Sequence, residues 1–234
     1  CYLTKEQAAL YETTLNEHMK NISDSTGINR RGLILKLITS LKQICNHPAN
    51  YIKNQDFSYS LSGKTKKIFA ITNQILENNE KVLIFTQYKE MGDILTKILR
   101  QELHENTLFF HGSLNRQERE RLIDRFQNDE DTKVMVLSLK AGGTGLNLTS
   151  ATNVIHFDLW WNPAVEAQAT DRTYRIGQNK NVTVHRLVTL GTFEEKIDEI
   201  LKSKQQLVDM SLYTGETMLS EMSDEELLEL FRLN

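Results

Sequence analysis

The chain has 234 residues, 39% of them apolar and 25% charged, with a net charge of −3 at pH 7. That suits one large globular domain, or one domain with appendages, and excludes a global basic field, so any nucleic-acid site must be a local patch. Two cysteines, Cys1 and Cys45, cannot form a disulfide framework, no apolar run nears membrane-spanning length, and no signal-peptide pattern opens the chain, which fits an intracellular protein with no membrane partner.

Residues 1–60 read as helical. Thr4 with Gln7 three residues on is a capping-box start, and Leu10, Leu15 and Met19 continue an apolar stripe. After a polar break at 21–29, a second helix is expected from about Arg31 to Ile44, ended by Pro48, with 49–62 as a connector. The first residue is Cys rather than Met, so a fragment of a longer protein is expected, with further motifs upstream.

Residues 63–209 alternate short apolar runs with amphipathic stretches. The runs are Val82–Thr86, Thr107–His111, Val134–Ser138, Asn153–Phe157 and Val182–Val188; helices are expected at about 65–78, 89–103, 116–127, 163–174 and 192–207. Several runs lack polar alternation, as strands buried on both faces of a parallel sheet do, so an open α/β sheet covered on both sides is predicted. Asn162 and Pro163 read as a cap and a first helical residue. In the acidic stretch 210–234, Ser223 with Glu226 opens a short terminal helix.

Some familiar patterns fail on inspection. Gly63-Lys64-Thr65 looks like the end of a phosphate-binding loop, but the full pattern needs a glycine at position 58, which is Ser58, and no buried strand precedes it. An anion-attracting helix start is the most that follows. Asp158 after Val154–Phe157 resembles a magnesium-binding aspartate, but Leu159 stands where an acidic partner often follows, and a simple strand-end Asp is favoured. Cys45 and His47 are too few for zinc, which takes about four ligands. No metal site is expected.

Other motifs carry chemistry. Arg172 and Arg175 stand three apart at the end of a segment that reads as a helix, so they share a face. Side-by-side guanidiniums repel, and a polyphosphate is a good reason to hold them together; a solvated basic helix end is the alternative. Gly142, Gly143 and Gly145 follow a strand directly, where exposed N–H groups form an anion-binding concavity, with Lys140 adding a point charge. Phe110-His111-Gly112-Ser113, Gln87 and Trp160-Trp161 also fall at strand ends, where an open α/β sheet gathers its ligands. Trp160 and Trp161 are either core anchors or, in one case, a surface that stacks on a base.

The run Gln168–Gln178, with Asp171-Arg172 and Tyr174-Arg175-Ile176-Gly177-Gln178, closely resembles motif six of the Swi/Snf-type helicase-like ATPases of superfamily two. Ser138–Leu148 resembles their motif five, Asp158 with Trp161-Asn162-Pro163 the segment after it, and Val82–Tyr88 motif four. His111-Gly112-Ser113 is similar to the next strand-end contact. Leu41–Pro48 resembles a signature of the helical protrusion unique to this family. Tyr174 stands where many relatives have His.

The resemblance implies the second of two RecA-like (P-loop NTPase type) lobes, 63–209, with a helical protrusion and connector over 1–62 and a C-terminal acidic brace helix over 210–234. It implies Arg172 and Arg175 as arginine fingers, Gln168 as a γ-phosphate positioner and Gly145 beside the nucleotide. It also implies Gln87, His111, Gly112, Ser138, Lys140, Gly142, Gly143 and Trp161 as DNA-facing groups. The implied cofactor is ATP with Mg, the metal held mainly by an N-terminal lobe of the same polypeptide. The implied activity is translocation on duplex DNA with remodelling of a protein bound there, the isolated lobe being largely inactive. A non-catalytic docking module and an RNA helicase lobe are the alternatives; the paired arginines disfavour the first, and the Arg-Ile-Gly-Gln and Cys-Asn-His-Pro strings the second. The compact protrusion points toward a prokaryotic, cytoplasmic or nucleoid member; a eukaryotic one would be nuclear.

Overall fold

The computed structural model describes residues 1–138, 148–160, 163–171, 181–205, 219 and 222–234. The helices are α1 (Lys5–Ser23), α2 (Gly27–Asn46), α3 (Pro48–Ile52), α4 (Gly63–Glu77), α5 (Lys89–Leu103), α6 (Arg116–Asn128), α7 (Pro163–Thr170), α8 (Phe193–Gln205) and α9 (Asp224–Phe231). The strands are β1 (Val82–Thr86), β2 (Leu108–Phe110), β3 (Val134–Ser138), β4 (Asn153–His156) and β5 (Thr183–Arg186). These elements form two compact units: Asp56–Ser60 with Thr65–Leu187, and Cys1–Gln55 with Leu61–Lys64 and Val188–Asn234.

The first unit is a five-stranded, all-parallel sheet in the order β2-β3-β1-β4-β5. Every residue of β1, β3 and β4 is buried, both parities of the pleat alike, so both faces are covered, as the uninterrupted apolar runs predict. On one face, Leu83, Phe85, Leu108, Phe110, Met135, Leu137 and Val154 share a register and pack with Phe126 of α6 and Ala169 of α7. On the other, α5 lies over β2 so closely that a Cβ on Gly92 would collide with the Phe109 ring. β5 is an edge strand and mostly exposed, in keeping with its polar Thr183, His185 and Arg186.

The connections from β1 and β4 leave in opposite directions, β1 toward β2 and β4 toward β5. Their shared carboxyl ends are therefore the topological switch point, where open α/β sheets bind ligands.

In the second unit α1 and α2 share a core with α8 and α9. The Tyr11 ring lies 6.4 Å from Phe193, and Phe193 lies 5.4 Å from Phe231. The Tyr11 hydroxyl donates to the Phe231 carbonyl at 2.7 Å. The capping boxes at Thr4/Gln7 and Ser223/Glu226 form as expected. The polar break is shorter than the composition suggests, since α2 begins at Gly27. Pro48 does not simply end α2: His47 closes it, caps α3 through its Nδ1, and Pro48 takes the first position of α3, where its missing N–H costs nothing. Burial pushes the Cys45 thiol well up, so it behaves as a small inert core residue.

The Gly63-Lys64 pair has a structural job. A Cβ on Gly63 would run into the Tyr2 carbonyl, so glycine permits the close approach of two backbones. The Gly63 and Lys64 amides are capped by Gln7 Oε1 (3.1 Å) and Ser62 Oγ (3.2 Å). The Lys64 ammonium, wholly buried, donates to Glu194 at 2.8 Å and to Asn46 Oδ1 at 3.2 Å, while the other Glu194 oxygen accepts from the Thr189 amide at 2.9 Å. No described helix is long and apolar enough to cross a membrane.

Removing one member of a buried ion pair leaves an uncompensated charge, which costs about 3–5 kcal/mol. Lys64→Met is thus expected to lower hydrogen-exchange protection of the α4 and α8 amides by that amount; a change under about 1 kcal/mol would contradict the buried-pair reading.

Candidate functional site

The switch point is held by Asp158. Its carboxylate, 1% exposed just past β4, accepts from the Thr86 hydroxyl at 2.6 Å and the Gln87 amide at 2.7 Å, both at the end of β1. Gln87 is half-buried and returns its side-chain NH2 to the Leu159 carbonyl at 2.6 Å. The ends of β1 and β4 are thereby laced together. Asp158 is the strand-end aspartate favoured from the sequence, with the added task of tying two strands.

Ser138, which ends β3 and pairs with Thr86 in register, is buried. At the end of β2 the His111 ring is half-buried against Phe109 (4.7 Å), and burial with the Lys89 charge nearby holds its pKa below the usual value. Gly112 is exposed, with open space where a Cβ would stand. Arg119 of α6 fixes this loop by donating to the carbonyls of Gly112 (2.8 Å) and Leu114 (2.9 Å).

Around α7 the structure brings together residues that sequence reading did not single out. Glu166 accepts from the Trp160 amide at 2.9 Å and pairs with Arg186 of β5 at 2.8 Å. His156, at the end of β4, stacks on Phe85 (5.6 Å) and meets the Thr170 hydroxyl at 3.1 Å through Nε2. Burial, then the Arg186 charge, lowers the His156 pKa to about 4, so the ring is neutral at pH 7. Gln168 is exposed on the last turn of α7, next to buried Ala169. Trp160 is half-buried. Thus Gln87, Ser138, His111 and Gly112 all fall at carboxyl ends of strands, as expected, and Gln168 on a helix that starts there. The expectations on Lys140, Gly142, Gly143, Gly145, Trp161, Asn162, Arg172 and Arg175 lie outside the described residues.

His156 supplies a pH dependence. Its folded pKa is below the ordinary value of about 6.5, so between pH 6.5 and about 4 the unfolded chain binds more protons, and stability falls as pH falls through that window. The loss is expected to be on the order of 3 kcal/mol and absent in His156→Gln, read from urea unfolding at pH 7 and 4.5; equal pH dependence in both proteins would contradict the assignment.

Three comparisons bear on this arrangement. Residues 66–177 match the helicase conserved C-terminal domain family. The solved Sulfolobus solfataricus SWI2/SNF2 ATPase C-terminal domain is 42% identical, covers 100% of this chain and 96% of its own, and superposes with a TM-score of 0.86. The core of that ATPase in complex with dsDNA is 44% identical, with a TM-score of 0.90 over 100% of this chain and 49% of its own. A putative ATP-dependent helicase/translocase of Bacillus subtilis, YwqA, is 47% identical over 99% of this chain, which spans 25% of its length. With a RecA-like parallel sheet and a near-complete match to a solved domain of that kind, the chain belongs to the SWI2/SNF2 family of superfamily two ATPases, as its C-terminal lobe.

Proposed function

We propose that this chain is the second motor lobe of a DNA-dependent ATPase that moves along duplex DNA and remodels a protein bound there. The observation that carries this reading is the seating of α7. Its two ends are held at the carboxyl ends of β4 and β5 by His156–Thr170 and Glu166–Arg186. Arg172 follows Thr170 by two residues in sequence, which supports assigning the paired arginines to that edge. As functional parts, 1–62 serves as protrusion and connector, 63–209 as lobe and 210–234 as brace.

The donor set fits a triphosphate. Two guanidinium forks and the exposed Gln168 carboxamide offer N–H donors of the kind phosphate oxygens accept. ATP with Mg supplies the transferable phosphoryl group when bound, the metal being held mainly by the N-terminal lobe of the same polypeptide. Arg172 and Arg175 donate to the phosphate oxygens on which negative charge builds, Gln168 orients the terminal group, and Gly145 allows close backbone approach. Arginine fingers contribute about a thousandfold or more elsewhere. Because they act from the lobe opposite the metal, hydrolysis follows lobe closure, and the lobe alone is nearly inactive.

Duplex DNA lies across the strand ends, met by Gln87, His111, Gly112, Ser138, Lys140, Gly142, Gly143 and Trp161. A neutral His111 donates a hydrogen bond without adding charge, and the cation is Lys140. Binding through phosphates is salt-sensitive and indifferent to sequence. The solved Sulfolobus relative in complex with dsDNA supports duplex rather than RNA as the track.

Arg172→Ala in the full-length protein is expected to lower DNA-stimulated turnover about a thousandfold, with duplex affinity within about twofold of wild type. Steady-state hydrolysis and a DNA titration measure both, and normal turnover would contradict the finger assignment.

A further inference from the structure

The geometry points to Glu166 and Arg186 as positioning residues for ATP hydrolysis: a clamp that sets the rotation and height of α7 and so the presentation of the groups that follow it. This rests on the motor-lobe reading above. Glu166 stands in the first turn of α7, and its side chain is 9% exposed. One carboxylate oxygen takes the Trp160 amide, fixing α7 to the loop that leaves β4. The other takes the Arg186 guanidinium at the end of β5. A single carboxylate thus ties a helix to the strand before it and the strand after it.

Both bonds are charge-assisted, and short for that reason. They act near the start of a helix of only eight residues, too short to hold its place by its own hydrogen bonds. At the far end Thr170 rests on His156, and Ala169 is buried in the sheet core. The helix is therefore pinned at its start by charge and at its end by packing. Gln168 lies between the two pins, and Arg172 is two residues past the second. Loosening the first pin lets the helix turn about the second, and a displacement near 1 Å in a group that meets a reacting phosphate costs about a hundredfold in rate.

Glu166→Gln isolates the Arg186 limb. The amide oxygen still accepts from Trp160, while the amide nitrogen meets the guanidinium as donor against donor. The test uses the full-length protein with saturating duplex DNA. Glu166→Gln and Arg186→Gln are each expected to lower kcat about 10- to 100-fold, with the KM for ATP and the duplex Kd within about threefold of wild type. The double variant should lose no more than the worse single one, since both remove the same clamp, and Arg186→Lys should recover most of the rate. A kcat within about twofold of wild type for Glu166→Gln overturns the clamp, as do losses that multiply in the double variant or a matching fall in duplex affinity. Arg172→Ala run alongside separates the two readings. Normal turnover there removes the finger assignment, and Glu166→Gln still decides the clamp, with Gln168 as the group it orients.

Discussion

Asp158 joins two strands at the point where their chains part company. In a parallel sheet the carboxyl ends finish with loops that head in different directions, and at β1 and β4 the divergence opens a crevice. Asp158 spans it with one oxygen on the Thr86 hydroxyl and the other on the Gln87 amide. A buried carboxylate with both oxygens occupied by donors is held firmly, because moving it strands a charge away from water. The loops at this edge accordingly start from a rigid base, which is what a site needs if its side chains must meet a ligand to within a fraction of an ångström. The same edge carries the Arg119-braced loop at His111–Leu114 and the seat of α7.

The helical unit rests on a second buried charge. Lys64 and Glu194 pair out of reach of water, with Asn46 and the Thr189 amide as further partners around them. Such a pair adds little net stability over an apolar packing of equal volume, yet it tolerates no wrong partner. It therefore fixes where the starts of α4 and α8 lie against the end of α2. Gln7 completes the junction by accepting from the Gly63 amide and donating to the carbonyls of Ile44 and Cys45. The Cys-Asn-His-Pro string thus has a physical meaning in this chain: Asn46 receives the ammonium, His47 turns the backbone and Pro48 restarts it.

Whatever depends on local pattern was legible in the sequence. β1, β3 and α5 fall where the apolar runs and the amphipathic period put them, and the capping boxes at Thr4/Gln7 and Ser223/Glu226 fix their helices; the structure adds a third at Asn115/Glu118. The parallel sheet followed from runs without polar alternation. The illegible parts depend on distant partners. Lys64 meets Glu194 130 residues away, so a buried ion pair looked like a fragment of a phosphate loop. Glu166 meets Arg186 only because β5 lies beside β4, a register that no local pattern announces. His156 lies in the β4 run with no local sign of a partner, and meets Thr170 only through the fold. Pro48 was read as a stop because a helix of five residues has too few positions to show a period.

The motor reading joins these parts into one sequence of causes. The parallel sheet creates the switch point, Asp158 makes its rim rigid, and the grips on α7 hold the helix that carries Gln168. The most direct test is a structure of the full-length protein closed on duplex DNA and a mimic of the hydrolysis transition state. The motor reading requires guanidinium nitrogens of Arg172 and Arg175 at about 2.7–3.0 Å from the mimic's phosphoryl oxygens. Both side chains turned to solvent, or buried within their own lobe, in that closed state would contradict it.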